Sequence, residues 1–316
     1  MIMTEERNSL REMLRQERFR GDVLFDEPMK NHTTLRIGGN AQAMVTPQDV
    51  ISLRNLLMEG RERNIPVVVV GGCSNLLVTD GGIEGIVVSA ASLCRILVIE
   101  EKDDEVRLFV ESGTPLQKMV NLSKEKGYEG LEGLAGIPGS VGGAVRGNSG
   151  SFGYEIGNVI DAVSVMNQYG KLSLLDARNL TFRYRSIDIP DECMILSVNM
   201  RLKKGDAHGV AKSINDFLLE KRTKQPIGAW SAGCVFKNPE GAYAGKLIDE
   251  AGCKGMRRGD VEVSGLHANF FINRGEGRAS DFLALMDEVR ERVMKAFGIE
   301  LEREIKIVGR DRDHAD

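Results

Sequence analysis

Glycine constrains this chain more than any other residue type. The sequence holds 36 glycines in 316 residues, clustered without a period, which excludes a collagen helix and predicts several tight backbone sites. The densest cluster, residues 130–153, is too rich in glycine for an ordinary helix or strand. Flexible linkers are usually rich in Gly and Ser and lack apolar residues. Here apolar residues are interleaved at Leu131, Leu134, Ile137, Val141 and Val145. We therefore expect a folded, partly buried ligand loop rather than a linker.

A second glycine loop follows a run of valines. Ile65–Val70 is a short apolar run that ends in Gly71 and Gly72, which predicts a buried strand that feeds a tight loop. Backbone N–H groups can converge on a pyrophosphate there without interference from side chains. The loop lacks the Gly-Lys-Ser/Thr of a Walker A motif and the G-x-G-x-x-G fingerprint, and a plain tight turn explains it equally well. Two such loops indicate either one extended ligand, such as a dinucleotide, or a single domain rich in turns.

Apolar periodicity predicts a mixture of strands and helices. Strands are predicted over Ile65–Val70, Ile83–Ser89, Ile96–Glu100, Val106–Glu111, Val159–Met166, Lys171–Leu175, Met194–Leu202, Ala268–Ile272 and Leu301–Val308. Helices are predicted over residues 5–19, from Thr114 and Pro115 to Lys126 with Gly127 as C-cap, over His208–Arg222, over Ala244–Ala251, and from a Ser280 cap to Gly298. A domain boundary is expected at Lys203–Gly205.

Composition narrows the classes of partner. The chain carries 42 basic and 46 acidic residues, a net charge of −4, which does not favour nucleic acid or an anionic membrane as a bulk partner. Its five cysteines form no C-x-x-C pair, which favours a reducing cytoplasm. No run approaches the ~18 apolar residues of a membrane span, and the N-terminus lacks the apolar core of a signal peptide. The four histidines lack metal-ligand spacing, so we expect no metal. The oligomeric state is left open.

One thiol stands among small residues in the segment SAGCVFKNP. Cys234 begins an alternation of apolar and polar residues, and Lys237 is near enough in sequence to favour a thiolate. A lone cysteine is more often a small buried hydrophobic residue than a catalyst. The motif by itself therefore favours packing over chemistry.

Charged residues alternate with other residues in two further segments. If residues 182–186 are extended, Arg183 and Arg185 share one face, where two guanidinium groups suit a carboxylate or a phosphate. A solvated basic edge is the alternative. Near the C-terminus, alternation places Glu302 and Glu304 opposite two isoleucines. These carboxylates form either a wet face or an acidic group that acts in a cleft.

Eight motifs, in order, resemble those of the UDP-N-acetylenolpyruvoylglucosamine reductases (MurB), flavoenzymes of peptidoglycan precursor synthesis. They are NHTTLRIGG, VGGCSNLLV, GLAGIPGSVGGA, YRS, SAGCVFKNP, AGKLIDEAG, HANFFIN and LEREIKIVG, between about Asn31 and Gly309. Each motif is weak alone, but their order is specific. The resemblance implies an α+β fold with a two-part FAD-binding domain of the vanillyl-alcohol-oxidase (PCMH) type and a C-terminal α+β substrate-binding domain. Together with the local patterns, it gives the expected bounds: an N-terminal helix at 1–20, an FAD-binding domain at 21–204 split near 90–105, a substrate domain at 205–309 and a frayed tail at 310–316.

The resemblance also implies the reaction. NADPH reduces non-covalently bound FAD, and the hydride then passes to the methylene carbon of UDP-N-acetylglucosamine enolpyruvate to give UDP-N-acetylmuramate. This UDP-sugar is the expected partner, and the role in cell wall biogenesis extends to cell shape, the cell cycle and cell division. Hydride addition leaves an enolate that needs charge stabilisation and then a proton.

Individual residues take roles by their place in the motifs. Arg185 and Glu304 match the family's arginine and glutamate, which would stabilise the enolic intermediate, and Cys234 stands where many members carry the serine that donates the proton. The implied FAD-binding residues are Arg36, Gly71, Gly72, Cys73, Ser74, Asn75, Leu76, Gly136, Ile137, Pro138, Gly139, Ser140, Gly143 and Asn148. The implied substrate-binding residues are Tyr184, Lys224, Asn238, His267 and Asn269.

Two departures and two alternatives accompany this resemblance. The family's Asn-Ala-Gly-Ala stretch reads Asn148-Ser149-Gly150-Ser151 here, and no long insertion separates Arg185 from Cys234, which is typical of the shorter subtype. One alternative is a related FAD-dependent oxidoreductase with another substrate, in which Cys73 could tether the flavin. The other is a non-catalytic nucleotide-binding regulator, which would have no need for Arg185, Cys234 and Glu304 together.

Overall fold

The computed structural model describes residues 10–14 and 19–310, and the chain divides into two compact units. The first unit contains Gln42–Gly72, Gly85–Leu219 and the described residues up to Phe25. The second contains Asp26–Ala41, Cys73–Glu84 and the described residues from Glu220 onward. The domain bounds expected from the sequence stay predictions. Most of the helix expected at 5–19 lies outside the described residues, and its described residues 10–13 are helical. Of the tail expected at 310–316, residues 311–316 also lie outside them.

Strands and helices are mixed along the described chain. The helices are α1 (Val50–Glu62), α2 (Leu116–Lys126), α3 (Val141–Arg146), α4 (Ala207–Lys224), α5 (Ala244–Glu250) and α6 (Ala279–Phe297). The strands are β1 (Gly21–Pro28), β2 (Asn40–Pro47), β3 (Val67–Val70), β4 (Leu76–Val78), β5 (Ile83–Ser89), β6 (Ile96–Glu101), β7 (Glu105–Glu111), β8 (Tyr128–Glu129), β9 (Gly150–Ser151), β10 (Tyr154–Glu155), β11 (Ile160–Met166), β12 (Leu172–Asp176), β13 (Phe182–Arg183), β14 (Ser186–Ile187), β15 (Met194–Lys204), β16 (Trp230–Cys234), β17 (Arg257–Arg258), β18 (Val261–Val263), β19 (Phe270–Asn273) and β20 (Lys306–Val308).

Most of the first unit is built on two sheets. One has the strand order β1-β2-β5-β3, with β3 parallel to β5. The other runs β12-β11-β15-β7-β6, with β8 also paired to β15. Two apolar clusters, one around α1 and one around α2, form the core of this unit. Helix α2 ends as predicted, because Gly127 takes the left-handed conformation (φ 70°) that glycine adopts at low cost.

The second unit has its own core. The sheet β16-β19-β18-β17 packs with α5 and α6 around Phe236, Phe271 and Phe282, and β20 pairs in parallel with β4. The aromatic rings of Phe236 and Phe271 meet edge to face at 6.2 Å. Among the described residues, no helix has the length and apolar character needed to cross a bilayer, and no group of three metal-ligating side chains is found.

Two expectations about secondary structure were wrong. The glycine-rich segment 130–153 does contain a short helix, α3, which begins at a Ser140 cap whose hydroxyl accepts from Gly143 N. The predicted last strand over Leu301–Val308 is a strand at Lys306–Val308 alone, preceded by an isolated bridge at Arg303.

Helix α6 is also capped differently from the prediction. Ser280 lies inside the helix, and the carboxylate of Asp80 accepts hydrogen bonds from Ala279 N and Ser280 N, both at 3.0 Å. Burial raises the pKa of Asp80, but hydrogen bonds from Ser280 and Ala279 lower it more, so the pKa lies below its usual value. This long-range cap ties the start of α6 to the loop after β4.

Candidate active site

The two glycine loops touch each other in the first unit. A Cβ added to Gly72 would lie 2.6 Å from Gly139 Cα and 3.2 Å from Ser140 N, and one added to Gly71 would lie 2.4 Å from Ser140 Oγ. Neither Gly71 nor Gly72 has a positive φ, so close backbone approach, not left-handed geometry, is what requires glycine here. Both glycines are exposed. The contact therefore presents bare backbone from two distant parts of the sequence side by side.

A cavity of about 700 Å³ opens at this contact. Its apolar wall includes Val67–Val70, Ala90 and Ile195, and its polar wall includes Gly71, Ser140, Gly143, Arg146, Asp191 and Glu192. This size and this mixture of an apolar wall with a few polar groups are typical of small-molecule sites. Three of the residues predicted to bind the cofactor, Gly71, Ser140 and Gly143, thus share one cavity.

Two residues that the motif analysis missed shape this site. Arg146 donates to the carbonyl oxygens of Ile189 (2.6 Å), Pro190 (3.2 Å) and Cys193, which clamps the loop before β15 against α3. Burial lowers the pKa of Arg146 from its ordinary value. An isolated arginine after a glycine run gives no sequence signal for such a clamp, because its acceptors are backbone atoms more than forty residues away.

Gln117 holds the other side of the glycine-rich segment. From α2, its side chain donates to Leu134 O (3.2 Å) and Ile137 O (3.0 Å) and accepts from Gly136 N (3.1 Å). Among the predicted FAD ligands, Gly136 and Pro138 are exposed and Ile137 is half-buried. The amide of Gln117 fixes the path of this loop.

Arg185 lies in a tight turn. Strands β13 and β14 pair Phe182 with Ile187 and Arg183 with Ser186, so Tyr184 and Arg185 form a two-residue hairpin turn. The expectation that Arg183 and Arg185 share one face of an extended segment was wrong, because Arg185 has a φ of 58°. The Arg185 guanidinium lies over the Tyr184 ring at 4.9 Å and donates to Gly150 O at 3.3 Å.

Asn148 is fully buried beside this hairpin. Its side chain contacts Glu155, Arg183 and Gly157 of the first unit. Asn148 was predicted to bind the cofactor, and its surroundings favour a role in holding the backbone.

In the second unit, a bulge aims Cys234. Strand β16 shifts register against β19 between Ser231 and Cys234, and Gly233 in that bulge has a φ of 77°. Bulges with a left-handed glycine bend a strand and redirect the next side chain. Gly233 explains why SAGC precedes the thiol, which is half-buried.

Glu304 lies next to the residue that follows Cys234. Its backbone N–H donates to Val235 O at 2.8 Å, and Phe236 bridges Arg303. Asn75 Nδ2 donates to Glu304 O at 3.1 Å. The structure therefore brings together Cys234, Glu304 and Asn75, three residues from distant motifs of the sequence.

Asn269 and His267 support the same strand. Asn269 is buried, and its amide accepts from Phe236 N (2.9 Å) and donates to Phe236 O (2.7 Å). His267 Nδ1 accepts from Asn269 N at 3.2 Å, which leaves Nε2 to carry the proton in the neutral ring. Burial lowers the pKa of His267, so the neutral form prevails at pH 7.

The remaining predicted substrate residues are more dispersed. Lys224 is exposed at the end of α4 and pairs with Glu220 at 2.7 Å. Asn238 Oδ1 accepts from Ala244 N at 3.0 Å, which caps the start of α5. These contacts describe local structure and leave the substrate-binding role of both residues a prediction.

The other predicted cofactor residues of the second unit lie on or near β4. Cys73 O accepts from Thr34 N at 3.3 Å, Lys306 N donates to Asn75 O at 3.1 Å, and Leu76 belongs to β4. Ser74 is half-buried. Burial raises the pKa of the Cys73 thiol to about 11, which keeps it protonated near neutral pH.

Arg36 belongs to the same unit. It has a φ of 53°, stacks over Trp230 at 4.3 Å, and lines a separate cavity of about 380 Å³ with Lys30 and Arg278. This position gives Arg36 an aromatic support and an open, charged surrounding.

Comparison with known proteins finds a matching family model for each of two segments of the chain. Residues 225–308 match the family model described as UDP-N-acetylenolpyruvoylglucosamine reductase, C-terminal domain, and residues 41–175 match the model described as FAD binding domain. The chain is 40% identical over 291 residues to the UDP-N-acetylenolpyruvoylglucosamine reductase of Syntrophus aciditrophicus, covering 92% of this chain and 93% of that one. It is 39% identical to that of Geotalea uraniireducens, with 92% and 96% covered. The crystal structure of the Thermus caldophilus reductase (MurB) superposes with a TM-score of 0.77 at 32% identity, covering 92% of this chain and all of that one.

Proposed function

The chain belongs to the UDP-N-acetylenolpyruvoylglucosamine reductases, and from this premise we propose which of its residues bind FAD and carry out the reduction. The predicted architecture of an FAD-binding domain followed by a substrate domain is confirmed by the two family matches. The protein is thus a flavin-dependent oxidoreductase of peptidoglycan precursor synthesis. The assignment of individual residues is the proposal.

The first unit fits FAD. The bare backbone where Gly72 meets Gly139 leaves no side chain to block an approaching phosphate, and the adjoining cavity of about 700 Å³ has an apolar wall suited to an aromatic ring. We assign the pyrophosphate to the Gly71–Gly72 and Gly139–Ser140 loops. When bound, FAD supplies a two-electron carrier that takes a hydride from NADPH and gives it to the substrate. The protonated Cys73 thiol supports non-covalent binding, since a thiolate would be needed to form a tether.

The residues of the chain then manage charge and protons on the substrate. Hydride addition to the methylene carbon leaves an enolate on the carboxylated carbon. We assign stabilisation of that charge to the Arg185 guanidinium and to a hydrogen bond donated by the carboxyl O–H of Glu304. Proton donation is assigned to the Cys234 thiol. The thiolate left behind regains its proton from solvent, so the sum is NADPH and one proton consumed for each product formed.

The observation that carries the assignment of the proton donor is the geometry around Cys234. The Gly233 bulge redirects the thiol, the Asn269 side chain fixes Phe236 two residues later, and the backbone N–H of Glu304 donates to Val235 O. Packing alone would not require a left-handed glycine directly before a half-buried thiol. The combination therefore favours chemistry over the small-hydrophobe interpretation of Cys234.

Anaerobic half-reactions test the proposal. The purified protein is reduced with NADPH, mixed with UDP-N-acetylglucosamine enolpyruvate, and the return of flavin absorbance is followed by stopped flow. We expect Arg185→Ala and Glu304→Ala to keep the rate of reduction by NADPH and to slow reoxidation by ~10²-fold or more, the scale of one charge-stabilising group. Equal slowing of both half-reactions would contradict these roles.

Cys234 is tested by the fate of the proton. Cys234→Ser should keep appreciable activity, and Cys234→Ala should still reoxidise while product forms slowly. In D₂O the wild-type product should carry one deuterium, placed stereospecifically, on the carbon that bears the carboxylate. A Cys234→Ala protein with the wild-type rate and stereochemistry would assign the thiol to packing.

The two alternative functions make other predictions. A covalent oxidase would keep its flavin on acid denaturation, and a regulator would not be bleached by NADPH. The expected cytoplasmic location and the absence of a nucleic-acid partner stay predictions.

A further inference from the structure

Asn148 uses all its donors inside the chain. It is fully buried, and its Nδ2 donates to Glu155 Oε2 at 2.8 Å and to Arg183 O at 3.1 Å. Its Oδ1 accepts from Gly157 N at 3.2 Å. A side-chain amide has two N–H donors. Both are occupied, so Asn148 has no N–H left for a cofactor.

We propose that Asn148 is a positioning residue that sets the geometry of Arg185, an inference that rests on the proposed role of Arg185. Two chains of contact join them. Asn148 holds Arg183 O, at the base of the turn that contains Arg185. It also holds Glu155, which pairs with Gly150 across the β9–β10 hairpin, and Gly150 O accepts from Arg185 Nη1.

The turn needs such support. Strands β13 and β14 contain two residue pairs, and an isolated two-stranded hairpin is at best marginally stable in water. Arg185 adopts a left-handed φ of 58°, a conformation that is unfavourable for a residue with a side chain. Strained residues at functional sites persist where surrounding contacts fix them. The buried Asn148 amide is such a contact. It bonds to Arg183 O at the base of the turn and to Glu155, whose strand partner Gly150 accepts from the guanidinium.

Asn148→Asp is the primary test. It keeps the shape of the side chain and the oxygen that accepts from Gly157 N, but it removes both N–H donors. The holoenzyme variant is measured for FAD affinity, for reduction by NADPH and for reoxidation by the enolpyruvyl substrate. We expect FAD affinity and reduction within about twofold of wild type, and reoxidation slowed by about tenfold or more, since ~1 Å of misplacement is enough for such losses. Asn167→Ala is the matched control. Its amide also fixes a hairpin turn of the first unit, accepting from Tyr169 N and Lys171 N at 3.0 Å, and it should leave both half-reactions unchanged.

A double-mutant cycle separates positioning from a general loss of stability. Combined with Arg185→Ala, Asn148→Asp should add little further slowing, because its effect acts through the missing guanidinium. Asn148→Asp with Glu155→Gln exchanges donor and acceptor between these two side chains and should recover part of the rate.

Three outcomes would overturn the inference. One is loss of FAD from Asn148→Asp, which would make Asn148 a cofactor residue. Another is slowing that multiplies with that of Arg185→Ala, which would make it an independent contributor. If Arg185→Ala itself reoxidises at the wild-type rate, the proposed role of Arg185 fails and the inference fails with it.

Discussion

Replacing Gly72 by alanine tests the contact on which the FAD assignment depends. Since Gly72 has no positive φ, the expected effect is steric alone. The added Cβ would lie 2.6 Å from Gly139 Cα, 3.0 Å from its carbonyl carbon and 3.2 Å from Ser140 N. Carbon atoms in contact lie about 3.5–4.0 Å apart, so the loops must separate by about 1 Å. All three obstacles are backbone atoms, and no side-chain rotation can relieve them.

Two losses follow from this separation. Overpacking costs about 1–3 kcal/mol of unfolding free energy. A cradle opened by ~1 Å also loses hydrogen bonds to phosphate, at about 1.5–3 kcal/mol each. One lost bond therefore weakens FAD by about 10- to 100-fold. Gly71→Ala should weaken FAD less, because its Cβ meets the side-chain atom Ser140 Oγ, which can rotate away at the cost of the cap that it gives α3.

The assay is titration of apoprotein with FAD, followed by quenching of flavin fluorescence, with thermal unfolding measured alongside. Gly147→Ala is the control from the same glycine-rich segment. The added Cβ would meet nothing closer than 3.6 Å, and the φ of Gly147 is −95°. We therefore expect unchanged FAD affinity and an unfolding free energy higher by about 0.4–1 kcal/mol. A Gly72→Ala protein with wild-type affinity and melting temperature would refute the contact as the basis of the site.

Three further predictions address other parts of the molecule. Gly233→Ala should lower the unfolding free energy, measured with urea, by about 1–2 kcal/mol, because the left-handed φ disfavours alanine while no atom lies within 4 Å of the added Cβ. It should also slow reoxidation of the flavin but not its reduction, and unchanged reoxidation would mean that the bulge does not aim Cys234. Asp80→Ala should cost about 0.5–2 kcal/mol. Because the pKa of Asp80 is lowered in the folded state, its contribution is present above the usual value of 3.8 and is lost as the pH falls through the lower folded value; unfolding series at several pH values should show this dependence in wild type and not in the variant. Arg146→Ala should weaken FAD by about tenfold or more, measured by ultrafiltration, because the loop at Ile189–Cys193 loses its clamp; an unchanged dissociation constant would remove Arg146 from the site.

Local patterns in the sequence predict most of the secondary structure. The valine run before Gly71, the alternation at Val106–Glu111 and the glycine stop at Gly127 each predict the element that forms, because the signal lies within a few residues. The order of the eight motifs predicts the family, and the comparisons confirm it.

Non-local contacts account for what sequence patterns could not predict. The cap of α6 comes from Asp80, 199 residues before Ala279 in the chain, so the nearby Ser280 was a misleading local signal. Arg183 and Arg185 would share one face only in an extended segment, yet the chain turns at Tyr184 and Arg185, neither of which is a typical turn residue. Asn148, 35 residues before Arg183 in the chain, donates to the Arg183 carbonyl at the base of that turn, a contact that no local pattern reveals.

Backbone strain provides evidence about the site that is independent of any motif. Among the described residues, the non-glycine positions with left-handed φ are Asp26, Arg36, Asn64, Cys73, Asn148, Phe152 and Arg185. Four of these seven belong to the set that the motifs assign to FAD or catalysis, although that set is a small part of the chain. Such a conformation costs of order 1–3 kcal/mol per residue and must be offset by neighbouring contacts. Trp230 stacks on Arg36 and Tyr184 on Arg185. At both arginines the contact that offsets the strain is made by the guanidinium group itself, which favours a function for these groups in the site.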